Sequence, residues 1–205
     1  MRAGGRFAAG LIAAAAAAGF AAGYGAVLGR TGSPVAAAAI MLSYFTNLTG
    51  LLVAALFLGI SLDPVRALRP WLVAGAGLAA LLVGLVQQAL LAGLRTLRGG
   101  DLVADILLHQ VVPVAVPLFW LAFVPKGRLR YGHALLWALY PLAFLAVTLL
   151  RGAATGWYPY PFLNVARLGW PMVLAHLGGI AAGFFLVGLG TVALDRRLGP
   201  RARYP

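Results

Sequence analysis

The chain has 205 residues, 62% of them hydrophobic and only 10% charged, with a mean hydropathy of +0.94; a soluble domain carries about 25% charged residues. Its 16 basic residues, all arginine except Lys126, against Asp63, Asp101, Asp105 and Asp195 give a net charge of +12, and Glu is absent. That charge is spread thinly over loops and termini, which favours anionic lipid headgroups over nucleic acid, and the lack of Cys excludes thiol redox chemistry and Cys-ligated metals.

The apolar residues come in long blocks, so the bilayer is the expected solvent. A membrane helix needs about 20 mostly apolar residues, and six such spans can be drawn, at 7–28, 35–60, 71–94, 103–124, 132–151 and 171–193. The expected fold is an all-α integral membrane protein, a single six-transmembrane-helix bundle. The first span is Ala-rich and follows Arg2 and Arg6. Its apolar stretch exceeds the 7–15 residues of a signal peptide, so it is expected to be retained. Short connections, "GRTGSP", "SLDPVRALRP", "RTLRGGD" and "PKGRLRYG", join the first five spans. A longer aromatic one, "RGAATGWYPYPFLNVARLGW", precedes the sixth. One side of this arrangement holds 11 basic residues, among them Arg2, Arg66, Arg128, Arg197 and Arg203, and the other holds 5: Arg30, Arg95, Arg98, Arg151 and Arg167. Both termini are therefore expected in the cytoplasm, with the protein a multi-pass component of the plasma membrane.

The second span interrupts its apolar run with "YFTNLTG", residues 44–50. At 1.5 Å per helical residue, Thr46 lies ~16 Å below the outer end of its span, and His109, His176 and the pair Gln87 and Gln88 lie ~9–10 Å below theirs. Four helices thus place polar side chains in one layer of the outer half, while their inner halves are almost wholly apolar. Such residues are costly in hydrocarbon and face the bundle interior or a wet cavity. On a continuous helix Ser43, Thr46, Asn47 and Gly50 share one face, with Thr49 beside them. Asp105 and His109 are i,i+4 neighbours, and Pro113 withholds the N–H that would bond the carbonyl of 109, so a bend is expected there. Each residue has a plain structural use: Thr46 bonding a carbonyl four residues back, Asn47 and the Gln pair joining helices, Asp101 as N-cap. Their shared depth argues for more. Thr46, His109 and Asp105 have the composition of a nucleophile, a base and its orienter, and Asn47 or a Gln amide is a candidate oxyanion donor.

"YFTNLTGLL", "DILLHQVVPVAVPLFW", "LWALYPLAFLAVTLLRG" and "YPYPFLNV", in this order over about residues 10–198, resemble the androgen-induced-protein family of membrane proteins, most closely its bacterial, six-transmembrane branch. Animal members are described as intramembrane threonine hydrolases of fatty acid esters of hydroxy fatty acids. The resemblance implies a nucleophile at Thr46, after Tyr44-Phe45, and an active-site imidazole at His109, a few residues before a proline. It also aligns the "YPYPFL" stretch with a segment before the family's last span. Where the bacterial pattern carries Ser-Asn three residues after the Thr, this chain has Thr49-Gly50. The implied substrate is a fatty acyl ester among membrane lipids, with no cofactor and no metal. Ser43, Asn47, Thr49, Gln87, Gln88, Tyr160, Phe162 and His176 are the candidate binding residues. Pro159 and Pro161 should keep residues 156–165 non-helical at the outer interface, where Tyr160 and Phe162 are expected to lie over the polar layer as a lid or acyl-chain entrance. Two other classes fit the same layer: a haem or quinone protein using His109 and His176, and a small-molecule transporter lined by Gln, Asn and His.

The charge asymmetry has a direct test, made easy by the Cys-free background. Ser33→Cys should be labelled by an impermeant thiol reagent from outside the cell and Arg203→Cys should not; the reverse pattern inverts the topology.

Overall fold

The structure is a computed structural model that describes residues 3–94 and 96–200. Arg2, Arg95, Arg201 and Arg203, which enter the charge count, lie outside the described residues. The described residues are helical with turns and no strand. Six helices are long and apolar enough to cross a membrane: Ala3–Thr31, Phe45–Leu62, Pro70–Leu91, Gly99–Phe123, Gly132–Thr155 and Val165–Leu198. The chain divides into two compact units, Met1–Val124 and Pro125–Pro205.

In the first unit α1 (Ala3–Thr31) is the organising helix. It buries a stripe of small residues, among them Ala9, Ala13, Ala16, Gly19 and Gly23, and packs along α3 (Phe45–Leu62), α6 (Gly99–Ile106) and α7 (Val112–Phe123). Small side chains let helices approach closely where no water drives them together. Both ends of α1 are tied. Arg6 donates to the carbonyls of Ser61 and Leu62 at 2.9 and 3.1 Å, closing the end of α3. Arg30 pairs with Asp101 in the first turn of α6. Asp101 was the expected N-cap of this helix; the cap position is Arg98, and the carboxylate serves the ion pair instead.

The second predicted span is two helices, not one. Ser33 caps α2 (Pro34–Met41), its Oγ accepting from the Ala36 N–H at 3.3 Å. The helix then stops, and α3 begins only at Phe45 after Tyr44 in extended geometry. The cause is local competition for backbone groups. Asn47 Nδ2 donates to the Met41 carbonyl at 2.9 Å, and the Tyr44 N–H donates to the same oxygen at 3.2 Å. Ser43 Oγ donates back to the Ala39 carbonyl at 2.6 Å. The break takes Ser43 off the helical face expected to join it to Thr46, Asn47 and Gly50.

Two further irregularities lie on neighbouring spans. The helix α5 (Pro70–Val86) finishes in a π-turn, Gln87–Leu91. Between α6 and α7 a second π-turn, Leu107–Val111, carries His109, and the Val112 N–H reaches the Leu107 carbonyl five residues back. This is the form taken by the predicted bend: Pro113 cannot donate, and the ladder adjusts by one residue ahead of it. Leu108, buried, wedges against α1 and α3, where a Cβ at Gly19 would lie 2.8 Å from its Cγ and one at Gly50 would lie 3.1 Å from its Cδ2. On the other side α5 packs flat against the turn at Gly84.

In the second unit α8 (Gly132–Thr155) packs against α9 (Val165–Leu198). The long connection before the sixth span is mostly absorbed into these helices. What remains is a non-helical stretch with one 3-10 turn at Pro161–Leu163, and Tyr160 ahead of Pro161 is extended, as the proline favours. At Gly169 the backbone takes φ 73° and ψ 159°, a conformation open to glycine alone, and Pro171 follows. The predicted sixth span started at 171 because α9 is broken there.

The Gly84 contact should be intolerant of bulk. A Cβ at that position would lie 2.9 Å from Pro113 Cβ and 3.2 Å from the His109 carbonyl oxygen, whereas nothing lies within 4 Å of one at Gly25. Gly84→Val should destabilise the protein by ~1–3 kcal/mol through overpacking, read as a lower thermal midpoint in detergent, and Gly25→Val should change it far less.

Candidate active site

Three spans of the first unit converge on one chain of polar contacts. Thr46 stands in the first turn of α3, because the break after Met41 ends where it does. Its Oγ1 lies 3.2 Å from Nε2 of His109. On the other edge of that ring, Nδ1 lies 2.9 Å from Asp105 Oδ1, one turn back along α6. The same carboxylate oxygen accepts from Gln87 Nε2 at 3.0 Å. Thr46, His109, Asp105 and Gln87 thus run in sequence across α3, the α6–α7 span and the π-turn ending α5. Both π-turns contribute a member, which accords with the frequency of such turns at functional sites.

The order of protons follows from the partners. A hydroxyl donating to Nε2 requires the imidazole proton on Nδ1, the nitrogen that faces the carboxylate. The Nδ1 to Oδ1 approach is a close electrostatic contact that lies off the line of a well-formed hydrogen bond, so Nδ1 has no aligned acceptor. Gln87 fixes the shared oxygen from the far side. The side chains of His109 and Asp105 are 18% and 16% exposed, and Thr46 is half-buried. The site is therefore reachable without being open.

The other candidates of the polar layer take different places. Asn47 is buried, and its amide nitrogen serves the break between α2 and α3, contacting the Met41 carbonyl and, at 3.4 Å, the Met41 sulfur. Ser43 and Thr49 are buried in the same unit. Gln88 is exposed, while its neighbour Gln87 turns to Asp105.

Tyr160, Phe162 and His176 belong to the second unit. Tyr160 is buried, stacked on Phe162 with ring centroids 5.3 Å apart and set edge-on to Phe144 at 6.3 Å. His176 Nδ1 lies 3.2 Å from the Phe162 carbonyl, tying the proline-rich segment to α9. Each of the two imidazoles considered as axial ligands is thus engaged within its own unit. Gln87 as a partner of Asp105 was not foreseen; the signal was a Gln at the depth of an Asp on another span. No family model, curated protein or solved structure matches the chain.

The Asn47 contacts separate two roles by measurement. An oxyanion donor removed costs ~10²–10³ in kcat. Asn47→Ala is instead expected to lower the thermal midpoint, by the ~1 kcal/mol typical of one hydrogen bond, and to leave kcat for a test ester within a few-fold of the parent.

Proposed function

We propose that the protein is an intramembrane hydrolase of lipid esters, with Thr46 as nucleophile, His109 as general base and then general acid, and Asp105, held by Gln87, as the residue that positions the imidazole. The single observation that carries this reading is the 3.2 Å approach of Thr46 Oγ1 to His109 Nε2, with a carboxylate on the opposite edge of the ring. A Thr hydroxyl is a weak nucleophile until a base stands within reach, and this pairing is the usual way of supplying one.

In the first half-reaction Thr46 Oγ attacks the ester carbonyl while His109 Nε2 takes its proton. The tetrahedral intermediate collapses, the C–O bond to the alcohol breaks, and the imidazolium returns that proton to the leaving oxygen. The acyl group is then an ester of Thr46. A water enters, His109 takes a proton from it, the hydroxide attacks the acyl carbonyl, and the Thr46 oxygen leaves with the proton from His109. The products are an alcohol and a fatty acid. The position of Thr46 in the first turn of α3 supports the reading further, because the positive end of a helix favours negative charge developing beside it. The apolar spans and the half-buried site suit a substrate that arrives from the lipid, such as a fatty acyl ester. The resemblance noted in the sequence points to the same chemistry, in the plasma membrane with both termini cytoplasmic.

The test uses a lipophilic fluorophosphonate on membranes expressing the intact chain. Wild type should be labelled and Thr46→Ala should not, and Asp105→Asn should lower ester turnover by on the order of 10²–10⁴ while the protein still folds. Equal labelling of Thr46→Ala would remove the nucleophile and the proposal with it.

A further inference from the structure

The second unit contains nine basic residues and one acid, Asp195. That acid is fully buried near the end of α9. Its Oδ2 accepts from the Leu129 N–H at 2.8 Å, and its backbone carbonyl accepts from the Gly127 N–H at 3.0 Å. A single aspartate therefore pins the 125–131 connection onto the last turns of α9. A second tie comes from Arg196, whose guanidinium carbon lies 5.2 Å from the centroid of the Tyr131 ring. Near the start of α8, His133 Nδ1 accepts from the Arg130 N–H at 3.0 Å, which fixes the end of the same connection. Lys126 is drawn inward; burial lowers its pKa, and the charge of Asp195 acts against that shift.

What this construction holds up is cationic. Arg128 and Arg130 on the connection, and Arg196 and Arg197 on α9, are all exposed, and none forms an ion pair among the described residues. The connection runs between two helices long and apolar enough to cross a membrane and meets the end of a third, which puts these four guanidinium groups at the expected headgroup level. Arginine is weakly hydrated and binds phosphate oxygens in a fixed two-pronged geometry. The backbone that carries the groups is already ordered by Asp195, so little further ordering is needed on binding.

We infer that the 125–131 connection and the end of α9 form a binding site for the phosphodiester headgroup of an anionic phospholipid, with Arg128, Arg130, Arg196 and Arg197 as its ligands and Asp195 as the residue that positions them. The site does not depend on the Thr46 chemistry. On the charge count it faces the cytoplasmic leaflet, where anionic lipids attract juxtamembrane arginines.

The experiment measures binding of phosphatidylglycerol to the detergent-purified full chain, with phosphatidylcholine as the zwitterionic comparison and inorganic phosphate as competitor. Arg128→Gln with Arg130→Gln should weaken phosphatidylglycerol binding ~10-fold or more, the loss expected of charge-assisted phosphate contacts. Arg66→Gln with Arg69→Gln removes the same formal charge elsewhere and should have little effect. Asp195→Ala raises the net charge by one, so general attraction predicts tighter binding; the pinned site predicts weaker. Asp195→Asn keeps an acceptor for the Leu129 N–H and should keep binding. Equal losses from the two double variants, or unchanged or tighter binding by a folded Asp195→Ala protein, would overturn the site. If Asp195→Ala does not fold, the two arginine pairs decide alone. Inorganic phosphate displacing the lipid at equal concentration would overturn the assignment to a lipid headgroup.

Discussion

Hydrocarbon offers no water to an unpaired backbone group, and this constraint governs the places where the chain leaves regular helix. Two such places in the first unit are furnished with their own partners. At the end of α2, Asn47 and the Tyr44 N–H take the Met41 carbonyl. Ahead of Pro113, the ladder shifts to a five-residue bond from Val112 to Leu107. These repairs are local, and the first is made by a residue that stands out in the sequence as a polar intrusion in an apolar run. "YFTNLTG" is such an intrusion: Asn47 makes the break tolerable, and the break puts Thr46 in a first turn with a hydroxyl turned to another span. Structural and functional uses of the polar residues are therefore divided between adjacent positions, not alternatives for one position.

The same division explains how His109 is held. An imidazole on a bent turn would be poorly fixed by the turn alone. Leu108, one residue earlier, is clasped by the small residues Gly19 and Gly50, and Gly84 lets α5 lie against the turn from the other side. Close packing around the neighbour sets the direction of the ring, while Asp105, itself held by Gln87, meets its far edge. Precision of this kind comes from dense contacts, since packed interiors do not deform continuously.

Much of this was legible in the sequence. Six apolar runs, their approximate limits and the grouping of Thr46, His109 and Asp105 follow from hydropathy, depth and i,i+4 spacing. The break at residues 42–44 does not, because periodicity assumes a continuous helix and cannot register an Asn side chain outcompeting a backbone N–H. The outward turn of Gln88 and the contact from Gln87 to Asp105 were hidden for a related reason: the π-turn changes which face residue 88 occupies, and only the proline-driven π-turn at 107–111 had a sequence cue. Asp101 was read as a cap from its place near a helix start, but its partner, Arg30, is 71 positions away. Helix-end statistics carry no information about such a contact.

The four carboxylates give the clearest measure of how the chain uses charge. Asp63 accepts from the Val65 and Arg66 N–H groups and starts the short helix α4 (Pro64–Ala67). Asp101 braces α1 against α6, and Asp195 fixes a connection. Each of these three stands near the end of a span, where a backbone or guanidinium partner is at hand. Asp105 differs. It lies further along its span, 16% exposed, and its partners are a neutral amide and an imidazole instead of an arginine. An amide and an imidazole compensate a buried carboxylate less fully than a guanidinium does. A carboxylate in this setting attracts a proton toward the nitrogen beside it, which is the property a hydroxyl on the opposite nitrogen needs in order to lose its own. The one carboxylate set inside a span beside an imidazole is thus the one that makes chemical sense beside Thr46.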